Sequence, residues 1–149
     1  MSNTSSSRIQ VVAECVLSQL EKRIQATESK QLTDEDLLSL HSVFGTVLER
    51  ALDILEKNPT FIAYSTVNKT RTLIEVNGEN DRCYRVFPRI NFCPCQSFKH
   101  QVIEQKAQVL CKHVLAARIA QIIGRITDHV VTQAQYLMLL RSMYNIEDS

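Results

Sequence analysis

Two short pairs of cysteine and histidine carry the clearest chemistry in this sequence. Cys93 and Cys95 are separated by one proline. After fifteen intervening residues, Cys111 and His113 are separated by one lysine. Three thiolates and one imidazole are the ligand types and the ligand number of a closed, tetrahedral zinc site. The alternative is that the cysteines are small, buried apolar side chains. Because two paired doublets occur together, we predict one structural zinc ion held by these four residues.

The one-residue spacing also restricts the backbone around each pair. Side chains two residues apart project to the same side of an extended chain, but point in nearly opposite directions in a helix. Cys111 and His113 are therefore expected to straddle the start of a helix, where the helix N-terminus favours a thiolate. Zinc would then link the chain before Cys93 to that helix, and its binding energy would become folding energy.

The elements ahead of the cysteines are predicted to be helical. Residues 1–7 are polar and Ser-rich, which predicts a short flexible tail. Apolar residues then recur at three- and four-residue steps, interrupted by a polar break before a capping-box spacing at Thr33. The second apolar stripe ends at Asn58-Pro59, because a residue before proline avoids helical angles. Two such helices joined by a short loop should pack as a hairpin.

The following segment has the composition of strands. Short runs rich in aromatic and β-branched residues over 61–66, 71–76 and 82–87 predict a small antiparallel meander. A helix is predicted over 110–125, and a capping-box spacing at Thr132 predicts a last helix. The expected fold class is α+β, with a flexible tail over 1–7, an N-terminal helical hairpin over 8–59, a module with the meander and the zinc ligands over 60–127, and a C-terminal helix over 128–149.

The net charge of the chain hides an uneven distribution. The totals are 17 Lys and Arg against 16 Asp and Glu, a net charge of +1, which argues against a nucleic-acid-binding protein. Residues 82–127, however, hold eight basic residues and one acid, Glu104, and the remainder carries −6. The alternative is an ordinary solvated face. No basic run is interleaved with stacking aromatics, so an autonomous single-strand platform is not indicated. The candidate phosphate contacts are Arg89, Lys99, Lys112, Arg118 and Arg125.

The remaining cysteines and histidines are interpreted as structural. Cys15 falls in the first helix and Cys83 in a strand, and an unpartnered cysteine is usually buried. His41 lies on the apolar stripe of the second helix, so we expect it in the core. His100 and His129 have no nearby acid or cysteine partner, and His100 lies inside the fifteen-residue excursion, where it is a poor fourth ligand.

Composition excludes several classes of protein. The chain has 149 residues, 44% of them hydrophobic, with three Gly and three Pro. This excludes a disordered chain and supports one buried core. There is no apolar run of 18 residues, and the N-terminus lacks the apolar core of a signal peptide, so we expect an intracellular protein without a transmembrane helix.

Two alternative functions for the metal site can be compared with the sequence. A catalytic zinc needs an open coordination position, whereas the four predicted ligands already fill this site. Deaminases need an H-x-E signature together with P-C-x-x-C, and neither occurs here. The site is therefore predicted to be non-catalytic. A redox switch, in which thiolates released from zinc are oxidised, is not distinguished from a structural site by the sequence.

The pattern C-x-C followed by C-x-H resembles the SWIM-type zinc finger family, over about residues 60–125. The family motif extends to C-x-H-x-x-A, and Ala116 fits it. A small side chain one turn into the helix lets the helix backbone approach its neighbour closely, although alanine is also simply a good helix former. Within that family, the whole chain resembles the small SWIM-domain subunit of the Shu complex, which has helices ahead of one C-terminal finger.

The resemblance implies a function as well as a fold. It implies a nuclear, non-catalytic subunit with one structural zinc, paired with a divergent RecA-type recombinase paralogue. The pair would promote recombinase filament assembly on single-stranded DNA in homologous recombination repair and often in meiosis. DNA contact would belong mainly to the partner, and neither a membrane nor a small-molecule substrate is expected. The alternative is a generic SWIM zinc module that binds DNA or protein outside recombination.

Overall fold

A computed structural model describes residues 3–58, 60–68, 71–77, 82–88 and 110–147, with side chains described between residues 10 and 142. These residues form helices and one mixed sheet, which confirms the α+β class. In chain order the elements are α1 (Asn3–Ala26), α2 (Asp34–Phe44), α3 (Thr46–Lys57), β1 (Phe61–Ser65), β2 (Thr72–Asn77), β3 (Cys83–Val86), α4 (Lys112–Ile122), β4 (Ile126–Val130) and α5 (Gln133–Glu147).

The N-terminal region has three helices where the sequence analysis expected two. The helix α1 begins at Asn3, inside the segment expected to be a tail, since no glycine or proline interrupts it. The second predicted helix is divided at Gly45, whose φ of 60° and ψ of −136° end α2 and begin α3. Residues with a Cβ atom rarely adopt this positive φ, so a residue other than glycine would have a strained backbone at this position. The two-helix hairpin is therefore corrected to a three-helix arrangement.

The helix boundaries follow from local chemistry. The Thr33 hydroxyl accepts the backbone N–H of Asp36, and the Asp36 carboxylate accepts the backbone N–H of Thr33, so the predicted capping box is present. The helix α3 ends at Lys57. The next residue, Asn58, has extended backbone angles, as expected for a residue that precedes proline. The Asn58 amide donates to the carbonyls of Ile54 and Asn77, which joins the end of α3 to β2.

The sheet contains the predicted meander and one further strand. Its order is β3-β2-β1-β4, with β1 antiparallel to β2 and β2 antiparallel to β3. The strand β4 pairs in parallel with β1, from Phe61 opposite Ile126 to Ser65 opposite Val130. The sequence does not predict β4, which crosses residue 127, the predicted end of the zinc-binding module. Four of the five β4 residues are exposed, so this edge strand lacks the alternating apolar pattern of a half-buried strand.

Glycine also sets the turn between α4 and β4. The helix ends at Ile122, and Gly124 has a φ of 74°. The N–H of Arg125 donates to the carbonyl of Ala120 at 2.8 Å, and the N–H of Gly124 donates to the carbonyl of Gln121 at 3.4 Å. These two bonds form a Schellman motif, which ends a helix and satisfies its last carbonyls. The predicted helix over 110–125 is therefore shorter at both ends.

The two faces of the sheet have different surroundings. We call the face that carries Phe61, Ile74 and Val86 the inner face, because these residues join α1–α4 in one apolar core. The helix α4 contacts α1, α3, β2 and β3 and is central to that core. The opposite, outer face carries Leu73, Glu75 and Arg85. On this side the Arg85 guanidinium donates to the Ser142 hydroxyl, which attaches α5 to the sheet.

Among the described residues, no helix has the length and apolar character needed to cross a bilayer.

Candidate metal centre

Two of the four predicted zinc ligands lie at the N-terminus of α4. Cys111 is the N-cap residue, with φ −79° and ψ 166°, and the helix begins at Lys112. Cys111 and His113 therefore straddle the helix start, as the one-residue spacing predicts. The sulfur of Cys111 accepts the backbone N–H of Val114 at 3.4 Å. A helix N-terminus stabilises nearby negative charge, so this position favours the thiolate that binds a metal.

Both of these side chains are buried. Cys111 is 0% exposed and His113 is 3% exposed, and their neighbours Leu110 and Val114 are also buried. A sulfur and an imidazole brought together at one helix terminus are chemically suited to a Zn²⁺ ion. The described half of the predicted donor set thus fits zinc.

The other two predicted ligands, Cys93 and Cys95, lie outside the described residues, as do Arg89, Lys99 and His100. Within the described ranges, no group of three or more His, Cys, Asp or Glu side chains is placed to hold a metal ion. The four-ligand site remains a prediction.

An aromatic side chain of the sheet lies against the histidine. The rings of Tyr84, on β3, and His113 have centroids 4.2 Å apart and an angle of 33° between their planes. Tyr84 lies on the inner face, directly opposite Val76 of β2. No motif in the sequence points to Tyr84. The one feature that could have indicated it is its position in the strand that precedes the first cysteine pair.

Small side chains follow the ligand pair along α4. Ala116, Ala117 and Ala120 are each 0% exposed, as is Ala51 of α3. The helices α3 and α4 form the most extensive helix pair in the described part of the chain. Ala116 therefore lies in the core one turn after His113, where its small volume allows neighbouring backbone to approach. This packing buries the first turns of α4 in the core.

Two of the basic residues proposed for phosphate contact have partners within the protein. Arg118 forms a two-point ion pair with Glu14 of α1, at 2.9 and 3.0 Å. The hydrogen bond to Arg118 holds the pKa of the Glu14 carboxyl below its usual value. Arg125 donates to the carbonyls of Leu55 and Asn58 at the C-terminal end of α3. Arg118 and Arg125 therefore join helices within the fold, which the number of basic residues in the segment did not indicate.

Lys112 is the first residue of α4 and lies beside both described ligands. Its side chain is partly exposed.

The remaining cysteines differ from the expectation in one case. Cys15 is in α1 as predicted, but it is exposed, because α1 buries the opposite face through Leu17 and Leu20. Cys83 is in β3 and is half-buried. Burial, together with the neighbouring Glu75 carboxylate, raises the pKa of the Cys83 thiol to about 12. Cys83 is therefore almost entirely protonated at neutral pH and is a poor nucleophile.

The described histidines outside α4 are also exposed. His41 was expected in the core, but it lies at the surface, 3.9 Å from the Glu49 carboxylate. The predicted helix is divided at Gly45, so His41 and the buried residues of α3 do not lie on one face of a single straight helix. His129 is exposed on β4 and contacts the ring of Tyr64 edge-on, with centroids 5.7 Å apart.

Several curated proteins are similar to this chain over most of its length. A zinc finger SWIM domain-containing protein 7 of Danio rerio is 32% identical over 127 residues, covering 84% of this chain and 89% of the relative. The protein of the same name in Homo sapiens is 30% identical over 129 residues, covering 87% and 89%. A homolog in Dictyostelium discoideum is 24% identical over 119 residues, covering 80% and 76%. No protein-family model matches the chain, and no solved structure matches it.

Proposed function

Because the chain belongs to the zinc finger SWIM domain-containing protein 7 family, we propose that it is a non-catalytic, zinc-binding adaptor subunit of a Shu-type complex. It pairs with a RecA-type recombinase paralogue in the nucleus. Together they promote recombinase filament assembly on single-stranded DNA during homologous recombination repair. The observation that carries the zinc-binding part is the buried Cys111 and His113 pair at the start of α4.

One zinc ion would be held by Cys93, Cys95, Cys111 and His113. Zinc supplies binding energy that is also folding energy, because its ligands come from separate parts of the chain. Cys111 contributes a sulfur whose negative charge the helix N-terminus stabilises, and His113 contributes an imidazole held in the core. Four protein ligands complete a tetrahedral site, so the role of the ion is structural.

Zinc content measured on the purified full-length chain tests this site. We expect one zinc per wild-type chain and loss of most of it in Cys111→Ser and in His113→Ala. Cys83→Ser is the matched control, because Cys83 is a half-buried cysteine on β3 that is not a predicted ligand. Wild-type protein without zinc, or equal zinc in all four proteins, would contradict the proposed site.

The adaptor role is supported by the construction of the site. A zinc ion that joins the cysteine pair after β3 to the start of α4 would fix the surface between these elements. Loss of zinc should then release a partner that recognises that surface. Tagged wild-type, His113→Ala and Cys83→Ser chains can be purified from cells, and the bound proteins identified by mass spectrometry. We expect a recombinase paralogue with wild type and Cys83→Ser, and its loss with His113→Ala.

Two results would contradict the adaptor role in different ways. A zinc-free His113→Ala chain that keeps the full amount of partner would show that zinc and partner binding are not coupled. Capture of partners unrelated to recombination would replace the Shu-type role by that of a generic SWIM module.

Direct contact between this subunit and DNA can be tested separately from zinc and partner binding. Replacing Arg118 or Arg125 would also disturb the packing of helices that they join, so the test replaces Arg89, Lys99 and Lys112. Replacing all three by alanine should weaken binding of the purified complex to single-stranded DNA. It should also reduce the salt dependence of that binding, because fewer counterions are released. Unchanged affinity and salt slope would assign DNA contact to the partner alone.

A further inference from the structure

The contact between Tyr84 and His113 joins the sheet to a predicted metal ligand. Tyr84 is fixed in β3 by its backbone pairing with β2 and packs against the apolar core. His113 is fixed in the first turn of α4. The ring centroids are 4.2 Å apart and the planes are tilted by 33°, so the tyrosine covers a face of the imidazole rather than its edge.

The orientation of this contact is compatible with metal binding. A metal bonds to an imidazole nitrogen through a lone pair that lies in the plane of the ring. A neighbour stacked over the face leaves that plane unobstructed while it restricts rotation of the ring. Residues that orient a ligating histidine typically strengthen metal binding, because less ring motion has to be lost when the metal binds.

We propose that Tyr84 is a positioning residue for the zinc site, which sets the orientation of the His113 imidazole by stacking over it. This proposal rests on the proposed function, because it assumes that His113 is a zinc ligand. It adds that β3 contributes to the site through a ring contact, although β3 supplies none of the four predicted ligands. The hydroxyl group of Tyr84 is not required for this role, whereas its ring is.

The ring requirement can be tested with two substitutions at Tyr84 in the full-length protein. Tyr84→Phe keeps the stacking ring, and Tyr84→Leu keeps an apolar side chain without it. Tyr64→Leu is the matched control, because Tyr64 contacts the ring of His129, which is not a predicted ligand. Zinc affinity is measured by competition with a chromogenic chelator, and the ligand field is recorded from the d–d absorption of the Co²⁺-substituted protein.

We expect wild type, Tyr84→Phe and Tyr64→Leu to bind zinc with affinities within about twofold of one another. An aromatic pair is worth enough to lower the affinity of Tyr84→Leu by about three- to tenfold. The Co²⁺ spectrum of Tyr84→Leu should also change, because a freely oriented imidazole alters the geometry of the ligand set. A general loss of stability would not by itself move that spectrum, and Tyr84→Phe should restore it.

The outcomes separate this proposal from the zinc site itself. A wild-type chain that binds no zinc refutes both. Normal zinc affinity and an unchanged Co²⁺ spectrum in Tyr84→Leu refute the role of Tyr84 and leave the four ligands in place. If Tyr84→Leu does not fold, nuclear Overhauser contacts in the zinc-loaded wild type decide the question. Contacts between the rings of Tyr84 and His113, with normal affinity in Tyr84→Phe, support the proposal, and their absence overturns it.

Discussion

The inner face of the sheet and the outer face are covered by different kinds of contact. On the inner side, Phe61, Ile74 and Val86 join the buried residues of four helices in one apolar cluster. On the outer side, Arg85 lies between the Glu75 carboxylate, 3.5 Å away, and the Ser142 hydroxyl of α5. Among the side chains of α5 described, over 133–142, only Tyr136 is buried. The inner layer is therefore stabilised by one large apolar cluster, and the outer layer by the buried Leu73 and Tyr136 together with a few polar contacts.

This difference has a consequence for the proposed metal centre. Cys111 and His113 are buried in the inner layer, and Tyr84 packs against its apolar cluster. Dense packing holds side chains in fixed rotamers, which a metal site needs from its ligands. The outer layer, with its exposed strand β4 and its lightly attached helix α5, is expected to open more readily.

The largest expected effect comes from removing apolar volume in the inner layer. Leu115 is 0% exposed in the middle of α4, whereas Leu137 on α5 is 54% exposed. Leu115→Ala should lower the free energy of unfolding by about 2–5 kcal/mol, because it leaves a cavity in the core. Leu137→Ala should change it by less than about 0.5 kcal/mol. Urea denaturation of the two variants with zinc present measures both values, and similar losses would contradict the difference between the layers.

Local sequence patterns explain the part of this fold that the sequence could predict. The meander β1–β3 and the start of α4 were predicted because their patterns are local, and the capping boxes at Thr33 and Thr132 are both present. Even the backbone at Cys111 followed from the spacing of its ligand pair. These features depend on residues a few positions apart, so a single sequence is enough to show them.

The features that the sequence did not reveal depend on distant parts of the chain. The strand β4 exists because it pairs with β1, more than sixty residues earlier, and its exposed side chains carry no alternating pattern. The break at Gly45 was hidden because α2 and α3 bury residues in the same core, so the apolar stripe appears continuous across it. Glu14 and Arg118 are likewise distant partners, which no local pattern connects.

The second expected effect concerns the attachment of α5 to the outer face. Arg85→Gln removes the charge that faces Glu75 and weakens the contact with Ser142. Because both charged side chains are partly exposed, we expect the free energy of unfolding to fall by only about 1–2 kcal/mol. Hydrogen exchange should show faster exchange of α5 amides and unchanged protection in α4. Arg141→Gln, an exposed position on α5, is the control. Equal acceleration in both helices would show that the layers unfold together.

The smallest expected effect lies at the edge of the inner layer, where Arg23 of α1 pairs with Asp36 of α2. Burial of Asp36 opposes its charge, but hydrogen bonds from Thr33 and Arg23 outweigh burial and hold its pKa below the usual 3.8. A lowered pKa means that the charged form stabilises the fold. This contribution is complete above the unfolded-state pKa and is lost as the pH falls through the lower, folded-state value.

Asp36→Asn tests that contribution with the shape of the side chain retained. Because Arg23 is 38% exposed, we expect the free energy of unfolding to fall by about 0.5–1 kcal/mol at pH 7. The difference from wild type should begin to shrink as the pH falls below 3.8, and it should disappear as the pH falls through the lower pKa of the folded wild-type carboxyl. Glu35→Gln, in the same helical turn, is the control and should leave stability nearly unchanged at both pH values. Urea midpoints measured from pH 7 to pH 3 give the comparison. A loss in Asp36→Asn that does not vary with pH would show that the carboxylate charge does not join α1 to α2.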